Sequence, residues 1–414
     1  MRLPKYSIGI GDRFGCQAEA QLQALIRAQE SGTKVAVVWN KSHREHLITN
    51  TSPLDVLKKA QNAVEKLKWK GIFYIDADHI GISNVELYID SCNYFTLDIA
   101  EFIGERAPNN EIDKFIEKYK KYIGKIYIPN IKEPLSITEK QLRFIAEEYL
   151  LAIKEAGKIY RRIEEKKGRD TFIIEISMDE SNKTQPPIEM FFILAGIADE
   201  KIPIQTIAPK FYGEFNKGVD FKGDIRRFSK EFETFLAIIQ FTKREFSLPD
   251  TLKLSIHSGS DKFSIYEAIN KAIKKFNTGV HLKTSGTTWL EEVTGLAMAG
   301  GEGLEIAKEI YIKAYNRFDE LCAPYNMVID INRKKLPSPE IIKNWTNDQY
   351  VRALQHDLSS KDYNPNFRQL LHIGYKIAAE MGSRYINVLK KYNEIIAPNV
   401  TENIYRKHIK KLFL

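Results

Sequence analysis

The sequence predicts an α/β fold of the TIM (β/α)8 barrel type, with an insertion after the fourth strand and a helical C-terminal extension. Three observations lead to this prediction. Eight short apolar or β-branched runs recur along the 414-residue chain. Segments with a helical hydrophobic period separate the runs, and polar or glycine-rich residues follow each of them. Eight similar units with parallel strands favour a closed barrel over an open doubly wound sheet.

The strands and helices are assigned from the hydrophobic pattern. The predicted strands are Tyr6–Ile10, Lys34–Trp39, Gly71–Ile75, Tyr94–Ile99, Thr171–Ser177, Ile202–Ile207, Thr251–His257 and Val280–Lys283. The helix-period segments include Ala18–Glu30, Leu54–Lys68, Ile188–Glu200, Ile225–Phe246, Ile265–Phe276 and Leu290–Tyr315.

Two regions depart from the strand and helix alternation. Residues 104–170 contain two helical patterns and a short "KIYIPN" run, which indicates an insertion between the fourth and fifth strands. After about Tyr325 only amphipathic helical patterns remain. We therefore expect residues 1–325 to form the catalytic barrel domain, with the insertion at about 104–170, and residues 326–414 to form a helical extension packed on the barrel.

Composition limits the partners and the compartment. The formal net charge of +8 favours an anionic partner, but most Lys and Arg residues are mixed with Glu in helical stretches, which is typical of solvated surfaces. We therefore expect no nucleic-acid partner. Three widely separated cysteines, Cys16, Cys92 and Cys322, indicate no disulfide framework. No apolar leader and no run of about 18 apolar residues is present, so we expect a cytoplasmic protein without a membrane partner.

Three histidines lie at or near the carboxyl ends of predicted strands, where a barrel assembles its active site. They are His79, His257 and His281. Imidazole and carboxylate together form the usual ligand set for a catalytic divalent ion such as Zn, Mn, Ni, Co or Fe. Each histidine alone is equally well explained as a strand cap or a loop hydrogen-bond partner. A shared metal site better explains why all three occur at strand ends.

A glutamate interrupts the apolar fifth strand. Glu175 lies in "FIIEIS" and, by strand alternation, shares a face with Ile173 and Ser177. A carboxylate buried there is costly unless it is paired, hydrogen-bonded or bound to a metal. If this face points into the barrel, Glu175 is a metal ligand or a base. The alternative is a structural ion pair with a lysine of a neighbouring strand.

The loops after the last two strands have similar designs. "HSGSDK" (257–262) and "KTSGTT" (283–288) combine small residues, hydroxyls and a lysine, which is a composition suited to binding a carboxylate or a phosphate. Polar turn chemistry is the simpler alternative. The candidate substrate-binding residues here are Ser258, Ser260, Lys262, Thr284, Ser285 and Thr287.

The first strand ends in the glycine-rich segment "GIGDRFG" (9–15). Its G-x-G-x-x-x-G spacing differs from the dinucleotide fingerprint, and no acidic residue ends the second strand, which closes as Trp39-Asn40-Lys41. Nicotinamide binding is therefore disfavoured. Asp12 and Arg13 are better explained as substrate contacts, because the guanidinium group suits a carboxylate.

Taken in order, several segments resemble the tagaturonate epimerase family, which interconverts tagaturonate and fructuronate in hexuronate catabolism. The segments are "GIGDRFG", "DADHIG" (76–81), "EISMDE" (175–180), "HSGSDKFS" (257–264), "HLKTSGTTWLEE" (281–292) and "NPNFRQLLHIGYKIAAEMG" (364–382). The resemblance spans nearly the whole chain. It implies a barrel, a divalent metal ion and a small anionic keto-uronate substrate.

The resemblance also suggests roles for the candidate residues. The metal ligands are placed on His79, His257 and His281, with Glu175 as the fourth ligand or a base. Asp76 and Asp78 are close enough in sequence to substitute for His79.

Tagaturonate and fructuronate differ at a carbon β to the ketone, which the carbonyl does not acidify. A retro-aldol route avoids this difficulty, because the adjacent carbon–carbon bond breaks and re-forms on the other face of the aldehyde. We expect Glu175 or Asp78 to move the proton. Lys262, Lys283 and Arg13 are expected to hold the carboxylate, and Lys283 is also placed among the catalytic residues.

Other functions remain open at this stage. The nearest alternative is a metal-dependent sugar or sugar-phosphate isomerase or aldolase with a related anionic substrate. A nicotinamide-dependent epimerase, a nucleic-acid-binding protein and a catalytically inactive sugar-sensing barrel are further alternatives. In the tail, Arg368 and His372 either close over the pocket or pack helices, and the packing role is favoured. A homo-oligomer is compatible with the sequence, which does not fix the native metal or the exact sugar acid.

Overall fold

The computed structural model describes residues 1–414 and contains a closed barrel of eight parallel strands. The strands, numbered in chain order, are β1 (Tyr6–Gly11), β2 (Ala36–Ser42), β3 (Phe73–Ile80), β4 (Tyr94–Asp98), β5 (Gly124–Ile126), β6 (Leu135–Ile137), β7 (Ile173–Ser177), β8 (Thr206–Ala208), β9 (Lys253–His257) and β10 (Val280–Lys283). Around the barrel the order is β1-β2-β3-β4-β7-β8-β9-β10, and β10 pairs again with β1. β5 and β6 form a separate antiparallel pair in the insertion. The predicted TIM (β/α)8 barrel is confirmed.

Helices surround the barrel and make up the tail. They are α1 (Ala18–Glu30), α2 (His43–Thr49), α3 (Pro53–Lys66), α4 (Asn109–Tyr119), α5 (Glu139–Lys167), α6 (Pro187–Asp199), α7 (Ile225–Glu245), α8 (Phe263–Lys275), α9 (Thr287–Ala299), α10 (Gly301–Asn316), α11 (Phe318–Cys322), α12 (Pro339–Lys343), α13 (Asn347–Leu354), α14 (Pro365–Ile373), α15 (Tyr375–Glu380), α16 (Ser383–Lys391), α17 (Asn393–Glu402) and α18 (Lys410–Phe413). A π-helical stretch (Asn403–Ile409) joins the last two. None of these helices combines the length and the apolar character that a membrane crossing requires.

One predicted helical segment is divided in the structure. Leu290–Tyr315 has a continuous helical period, but α9 ends at Ala299 and α10 starts at Gly301. Gly300 and Gly301 have φ values of +68° and +48°, a left-handed conformation that breaks the helical hydrogen-bond ladder. The hydrophobic period continues across the break because both helices face the same core.

Strand alternation gives the barrel interior an apolar floor and a polar upper layer. At the amino-terminal end, side chains from four strands and from Leu3 close the floor: Leu3, Ala36, Val38, Tyr74, Tyr94 and Ile173. Two residues further along β3, β4 and β7, the inward positions are Asp76, Thr96 and Glu175, and all three are buried. The pattern therefore places the ionisable groups toward the carboxyl ends of the strands.

The tail packs tightly against the outside of the barrel. α17 lies against α1 and α9, α13 against α9, and α18 against α8. Backbone approach is close at one crossing, since a Cβ added to Gly295 would lie 2.8 Å from the Cγ1 of Ile396. The helical C-terminal region is thus part of the folded body. Its division from the barrel at residue 325 stays a prediction.

Candidate active site

An irregularity in β3 directs His79 over the barrel mouth. The register between β3 and β4 shifts between Ala77 and Ile80, and His79 has a φ of +54°, which is uncommon for a residue other than glycine. With Asp78 facing inward, regular alternation would point His79 away from the interior. The left-handed conformation brings its ring back to the cavity. Such strained positions concentrate at functional sites.

His79 meets Asp179 and His257 at the ends of three strands. The Nε2 of His79 lies 3.2 Å from the Oδ1 of Asp179, and the Nδ1 of His257 lies 3.0 Å from the same oxygen. One ligand atom from each residue falls within 4.8 Å of the other two. The Nδ1 of His257 is buried and makes no hydrogen bond of good geometry, although it lies so close to the carboxylate of Asp179. Two imidazoles and a carboxylate are a suitable ligand set for a divalent transition metal.

The second nitrogen of each imidazole is held by another carboxylate. The Nδ1 of His79 lies 2.9 Å from the Oδ1 of Asp78, and the Nε2 of His257 lies 2.8 Å from the Oε1 of Glu175. Metal-binding histidines commonly hydrogen-bond a carboxylate through the nitrogen that does not bind the metal, because this fixes the ring and its tautomer. The residues present therefore fit a metal ion at the His79, Asp179 and His257 cluster.

The structure does not bring His281 to this cluster. His281 pairs in register with Ser255, two residues before His257, and therefore lies one inward position closer to the floor. Its Nδ1 lies 2.9 Å from the hydroxyl of Ser7, and its ring lies 5.5 Å from that of Tyr94. Burial lowers the pKa of His281 to about 3, so its ring is neutral.

Asp179 was missed from the sequence although a signal for it was present. It lies two residues beyond Ser177, at the end of β7, and shares the parity of Glu175. Mainly histidines were considered as metal ligands from the sequence, and Asp179 was therefore not selected.

Lys283 is the centre of a buried ion network. Its Nζ lies 2.7 Å from the Oδ2 of Asp76, 2.8 Å from the Oδ1 of Asp78 and 3.0 Å from the Oε1 of Glu175. Tyr94 donates a further hydrogen bond of 2.9 Å to Glu175. Of the predicted catalytic residues, Lys283 thus contacts both Asp78 and Glu175. The lysine lies across the barrel from Glu175 instead of on a neighbouring strand.

The network shifts the pKa values of its three carboxylates in different directions. Burial raises the pKa of Asp76 to about 7, with Lys283 opposing the shift. Burial acts on Asp78 in the same direction, but the charges of Lys283 and His79 outweigh it and hold the pKa of Asp78 below its usual value. The pKa of Glu175 is likewise lowered, because Lys283 and His257 outweigh burial.

The polar side chains of the "HSGSDK" loop form hydrogen bonds with other parts of the protein. Ser258 donates its hydroxyl to the backbone carbonyl of Lys283 (2.7 Å), and Ser260 accepts from the backbone amide of Gly218 (3.0 Å). Lys262 is buried and donates to two backbone carbonyls of the loop that follows β8, at 2.6 and 2.9 Å. These groups join neighbouring loops, and none of the three lines the main cavity.

The "KTSGTT" loop contributes one residue to the cavity. Ser285 lines it, whereas Thr287 donates its hydroxyl to the carboxylate of Asp261 (3.3 Å) and the buried hydroxyl of Thr284 has no partner. The backbone amide that follows Ser285 donates to the carbonyl of Gly259 (2.9 Å). The two loops therefore brace each other.

Asp12 and Arg13 have different roles in the loop after β1. The carboxylate of Asp12 accepts hydrogen bonds of 2.8 to 3.2 Å from three backbone amides in the following turn, so Asp12 shapes the loop. Arg13 lines the cavity, but its Nε donates to Glu45 (2.8 Å) and its Nη1 donates to the backbone carbonyl of His372 (3.0 Å). Its guanidinium lies 4.0 Å from the ring centroid of Tyr375.

The main cavity lies at the carboxyl ends of the strands and has a volume of about 450 Å³. This size is typical of a small-molecule site. Asp78 and His79 line it, as does Tyr325 at the end of the predicted barrel domain, and the tail supplies His372 and Tyr375. The tail is therefore part of the wall of the cavity.

The cavity also contains residues that the sequence did not single out. They include Arg44, Asp98, Glu180 and Lys217. Arg44 is placed by a capping box, in which Ser42 and Glu45 exchange hydrogen bonds at the start of α2. The S-x-x-E spacing of "SHRE" was visible in the sequence as a helix start.

Arg368 does not line the cavity. It is fully buried and donates to the carboxylate of Asp261 (2.6 Å), the carbonyl of Gly218 (2.7 Å) and the carbonyl of Leu354 (2.7 Å). His408 also reaches Asp261, with its Nε2 3.2 Å from the Oδ1. This network anchors the tail to the loops after β8 and β9.

The comparisons with known proteins agree across the whole chain. A family model described as tagaturonate epimerase matches residues 1–412. The tagaturonate/fructuronate epimerase of Thermotoga maritima is 28% identical over 416 aligned residues, covering 97% of this chain and 79% of that protein. The glycerol complex of the fructuronate-tagaturonate epimerase of Cohnella laeviribosi has a TM-score of 0.82 at 24% identity, covering 100% of this chain and 82% of that chain. A probable tagatose 6-phosphate kinase of Sinorhizobium meliloti has a TM-score of 0.53 at 10% identity, covering 99% of this chain and 100% of that chain.

Proposed function

The chain belongs to the tagaturonate epimerase family, and from that premise we propose that it interconverts D-tagaturonate and D-fructuronate by retro-aldol chemistry with a divalent metal ion. The observation that carries the proposal is the His79, Asp179 and His257 cluster at the edge of the cavity at the barrel mouth. A keto-uronate offers this cavity a ketone, neighbouring hydroxyls and a carboxylate.

The metal would be held by the Nε2 of His79, a carboxylate oxygen of Asp179 and the Nδ1 of His257. Asp78 and Glu175 would keep both rings in the required orientation and tautomer. A bound divalent ion would supply a Lewis acid for the ketone oxygen. Zn, Mn, Ni, Co and Fe all suit these donors.

The reaction requires a base near the hydroxyl β to the ketone. Asp78 is the member of the Lys283 network that lines the cavity, so it is the one placed to take this proton. Asp98 ends the neighbouring strand β4, also lines the cavity, and has a pKa raised by burial. We assign removal of the proton to Asp78. After the aldehyde has turned, Asp98, which begins the cycle protonated, gives its own proton to the new alkoxide, and proton exchange with solvent then returns Asp78 to its charged form and Asp98 to its neutral form.

Lys283 and Glu175 act below the cavity. Lys283 balances the charge of the carboxylates and accommodates the change in charge as Asp78 takes up a proton. Glu175 orients His257 and, together with Lys283, connects the base to the metal cluster. We also propose that residues 1–325 form the catalytic domain and that residues 326–414 complete the cavity wall.

Metal analysis combined with NMR on D-tagaturonate tests the proposal. The metal-loaded protein should interconvert the two sugar acids without incorporating solvent deuterium next to the ketone. Absence of interconversion would overturn the substrate assignment, and deuterium at that carbon would indicate a proton-transfer isomerase. Nicotinamide absorbance in the purified protein would indicate an oxidation route.

Two histidine variants test the ligand set. His257→Ala should lose both metal and turnover, whereas His281→Gln should keep a full complement of metal, because His281 lies beside Ser7 and not at the cluster. If His281→Gln instead binds less metal than the wild type, the sequence-based prediction that His281 is a metal ligand would be supported. An active His257→Ala variant would remove that residue from the site.

A further inference from the structure

A second cavity lies at the opposite end of the barrel from the candidate active site. It has a volume of about 400 Å³, and the segments that lead into the adjacent strands β1, β10 and β9 bound it together with the end of α7. Along β9, Lys253 in this cavity precedes His257 of the metal cluster by four residues, a rise of about 13 Å. The lining consists of residues 2–5, 250–253 and 277–279 with Gln240 and Lys243 of α7.

Four cations line this cavity, together with a single carboxylate. The cations are Arg2, Lys5, Lys243 and Lys253, and the carboxylate belongs to Asp250. No carboxylate oxygen lies within 4.0 Å of a charged nitrogen of any of these cations. The cavity therefore carries a surplus of positive charge that the protein itself does not pair.

Hydrogen bonds to backbone carbonyls position two of the ammonium groups. Lys253 donates to the carbonyls of Pro4 and Lys5, the second at 3.1 Å, and Lys243 donates to the carbonyl of Asp250 at 2.9 Å. Because an ammonium has three N–H groups, one of Lys253 and two of Lys243 have no partner in the protein. Lys253 is only 3% exposed, and a buried donor of this kind is normally satisfied. Its remaining N–H is therefore available to a molecule in the cavity.

The N-terminal segment forms a fixed part of the wall. The amide of Leu3 donates to the Oε1 of Gln205 (2.8 Å), and the Nζ of Lys5 donates to the Oδ1 of Asn277 (2.9 Å). A Cβ added to Gly279 would lie 1.8 Å from the carbonyl oxygen of Lys5, so the segments before β1 and β10 are in close contact. These contacts bring Lys5 to the cavity from an anchored backbone.

The cations are held together at an electrostatic cost. Burial, with a smaller contribution from the charge of Lys243, lowers the pKa of Lys253 to about 7, although Glu175 opposes the shift. Burial also lowers the pKa of Lys243 to about 8. A bound anion would offset both effects, because an opposite charge favours the protonated ammonium.

We propose that this cavity binds a small molecule through a phosphate group. A phosphate ester carries nearly two negative charges and three acceptor oxygens, which match several cations with unused N–H groups. A single carboxylate would leave most of the positive charge unbalanced. The volume is that of a small-molecule site, so it can hold more than the phosphate itself. The site lies at the other end of the barrel from the reaction and is independent of the proposed function.

Isothermal titration calorimetry of the full chain with inorganic phosphate, at constant ionic strength, tests the proposal. Lys5→Met and Lys243→Met should each raise the Kd about tenfold or more, because a charge-assisted hydrogen bond is lost. Lys5→Arg and Lys243→Arg keep the charge and should stay within about threefold of the wild type. Acetate should bind at least about tenfold more weakly than phosphate, because it carries one charge. Tighter binding of glycerol 3-phosphate would identify the ligand as a phosphorylated metabolite, and equal binding would identify it as the free ion.

Two exposed cations outside the cavity provide matched controls. Arg244 follows Lys243 in the last turn of α7, and Lys34 precedes β2 at the same end of the barrel. Arg244→Met and Lys34→Met should leave the Kd of phosphate unchanged, and circular dichroism should show that every variant is folded. Equal weakening by the controls would indicate general charge attraction and refute the site.

A metal-site variant separates this cavity from the active site. His257→Ala should bind phosphate with the affinity of the wild type, because His257 does not line the second cavity. Loss of phosphate binding in His257→Ala would place the anion at the metal cluster and overturn the proposal. Absence of saturable phosphate binding by the wild type would overturn it as well.

Discussion

Replacing Asp261 with asparagine tests whether the buried network that anchors the tail stabilises the protein. Asp261 and Arg368 are both fully buried, and their charged atoms lie 2.6 Å apart. Asp261→Asn keeps the shape of the side chain and removes its charge. Arg368 is then left as a buried cation without a counter-ion.

The expected loss is large for a single substitution. Breaking a buried ion pair by removing one partner costs about 3–5 kcal/mol. For a chain of 414 residues, the entropy of unfolding converts this cost into a fall in Tm of about 3–6 °C. The matched control is Asp362→Asn, which breaks a pair with Arg352 of similar length, 2.7 Å, but with both side chains more than half exposed. The control should lose about 1 kcal/mol or less.

The assay is thermal unfolding followed by circular dichroism between pH 8 and pH 3.5. Burial opposes the charge of Asp261, but Arg368 and the neighbouring histidines outweigh it and hold its pKa well below the usual value. A lowered carboxylate pKa stabilises the fold above the unfolded pKa of about 3.9 and ceases to do so as the pH falls through the folded value. The difference between wild type and Asp261→Asn should therefore persist at pH 5 and narrow only below about pH 4.

His408 influences the same pH range and acts in the opposite direction. Its pKa is lowered by burial, so protonation of the unfolded chain costs stability as the pH falls below about 6.5. Asp261→Asn removes the carboxylate beside His408, which makes its protonation in the fold harder and slightly widens the difference near pH 5.5. An unchanged Tm for Asp261→Asn, or a difference that disappears by pH 6, would refute the reasoning. In a double-mutant cycle, adding Arg368→Met should recover part of the loss.

Three further outcomes follow from the site. Lys283→Met should lower kcat about a hundredfold or more in the NMR assay, because the base loses the charge that balances it; retention of a tenth of the activity would contradict its role. If the metal concentration was about a hundredfold above its Kd, chelation should lower the Tm by about 3 °C, and adding Zn or Mn should restore it. The Tm of His257→Ala should not change on chelation. Gly286→Ala should weaken substrate binding, because the added Cβ would lie 1.9 Å from the Cε1 of His372. The control is Gly81→Ala, which should be neutral because its Cβ would meet nothing within 4 Å. Equal KM values for the two variants would count against a role for His372 in the cavity wall.

The barrel could be predicted because its physical cause is local in the sequence. Each strand buries both faces and therefore appears as a short apolar run, as in Ile173–Ser177, where every residue is buried. Alternation placed Glu175 on one face with Ile173 and Ser177, and the structure shows that this face points into the barrel. Polar residues gather at the carboxyl ends because the loops there line the cavity.

The level at which an inward side chain lies along the barrel axis could not be predicted from alternation. His281 has the parity of an inward residue, as expected, but its level depends on the tilt and register of β10 against β9. Register places Lys283, and not His281, beside His257. His79 reaches the cluster only through an irregular, left-handed residue in β3, which no periodic pattern predicts.

The placing of the cations that line the cavity depends on contacts between distant segments. Arg44 and Lys217 follow different strands, and a contact between the hydroxyls of Tyr325 and the tail residue Tyr375 joins the barrel to the tail in the cavity wall. A mixed charge pattern in sequence does not distinguish an unpaired lysine from a paired one. Only the three-dimensional neighbours show that the ammonium of Lys262 donates to backbone carbonyls while that of Lys217 has no carboxylate within 4.0 Å.

The wall that the tail contributes sets the order in which a newly made chain acquires its parts. All three residues of the candidate metal cluster have been synthesised once His257 is added, and the last barrel strand is complete at Lys283. Tyr375 and the anchoring His408 emerge only later. Until then the candidate site lacks the part of its wall that Tyr375 provides. The cavity wall can therefore be completed only after the C-terminal helices have been synthesised.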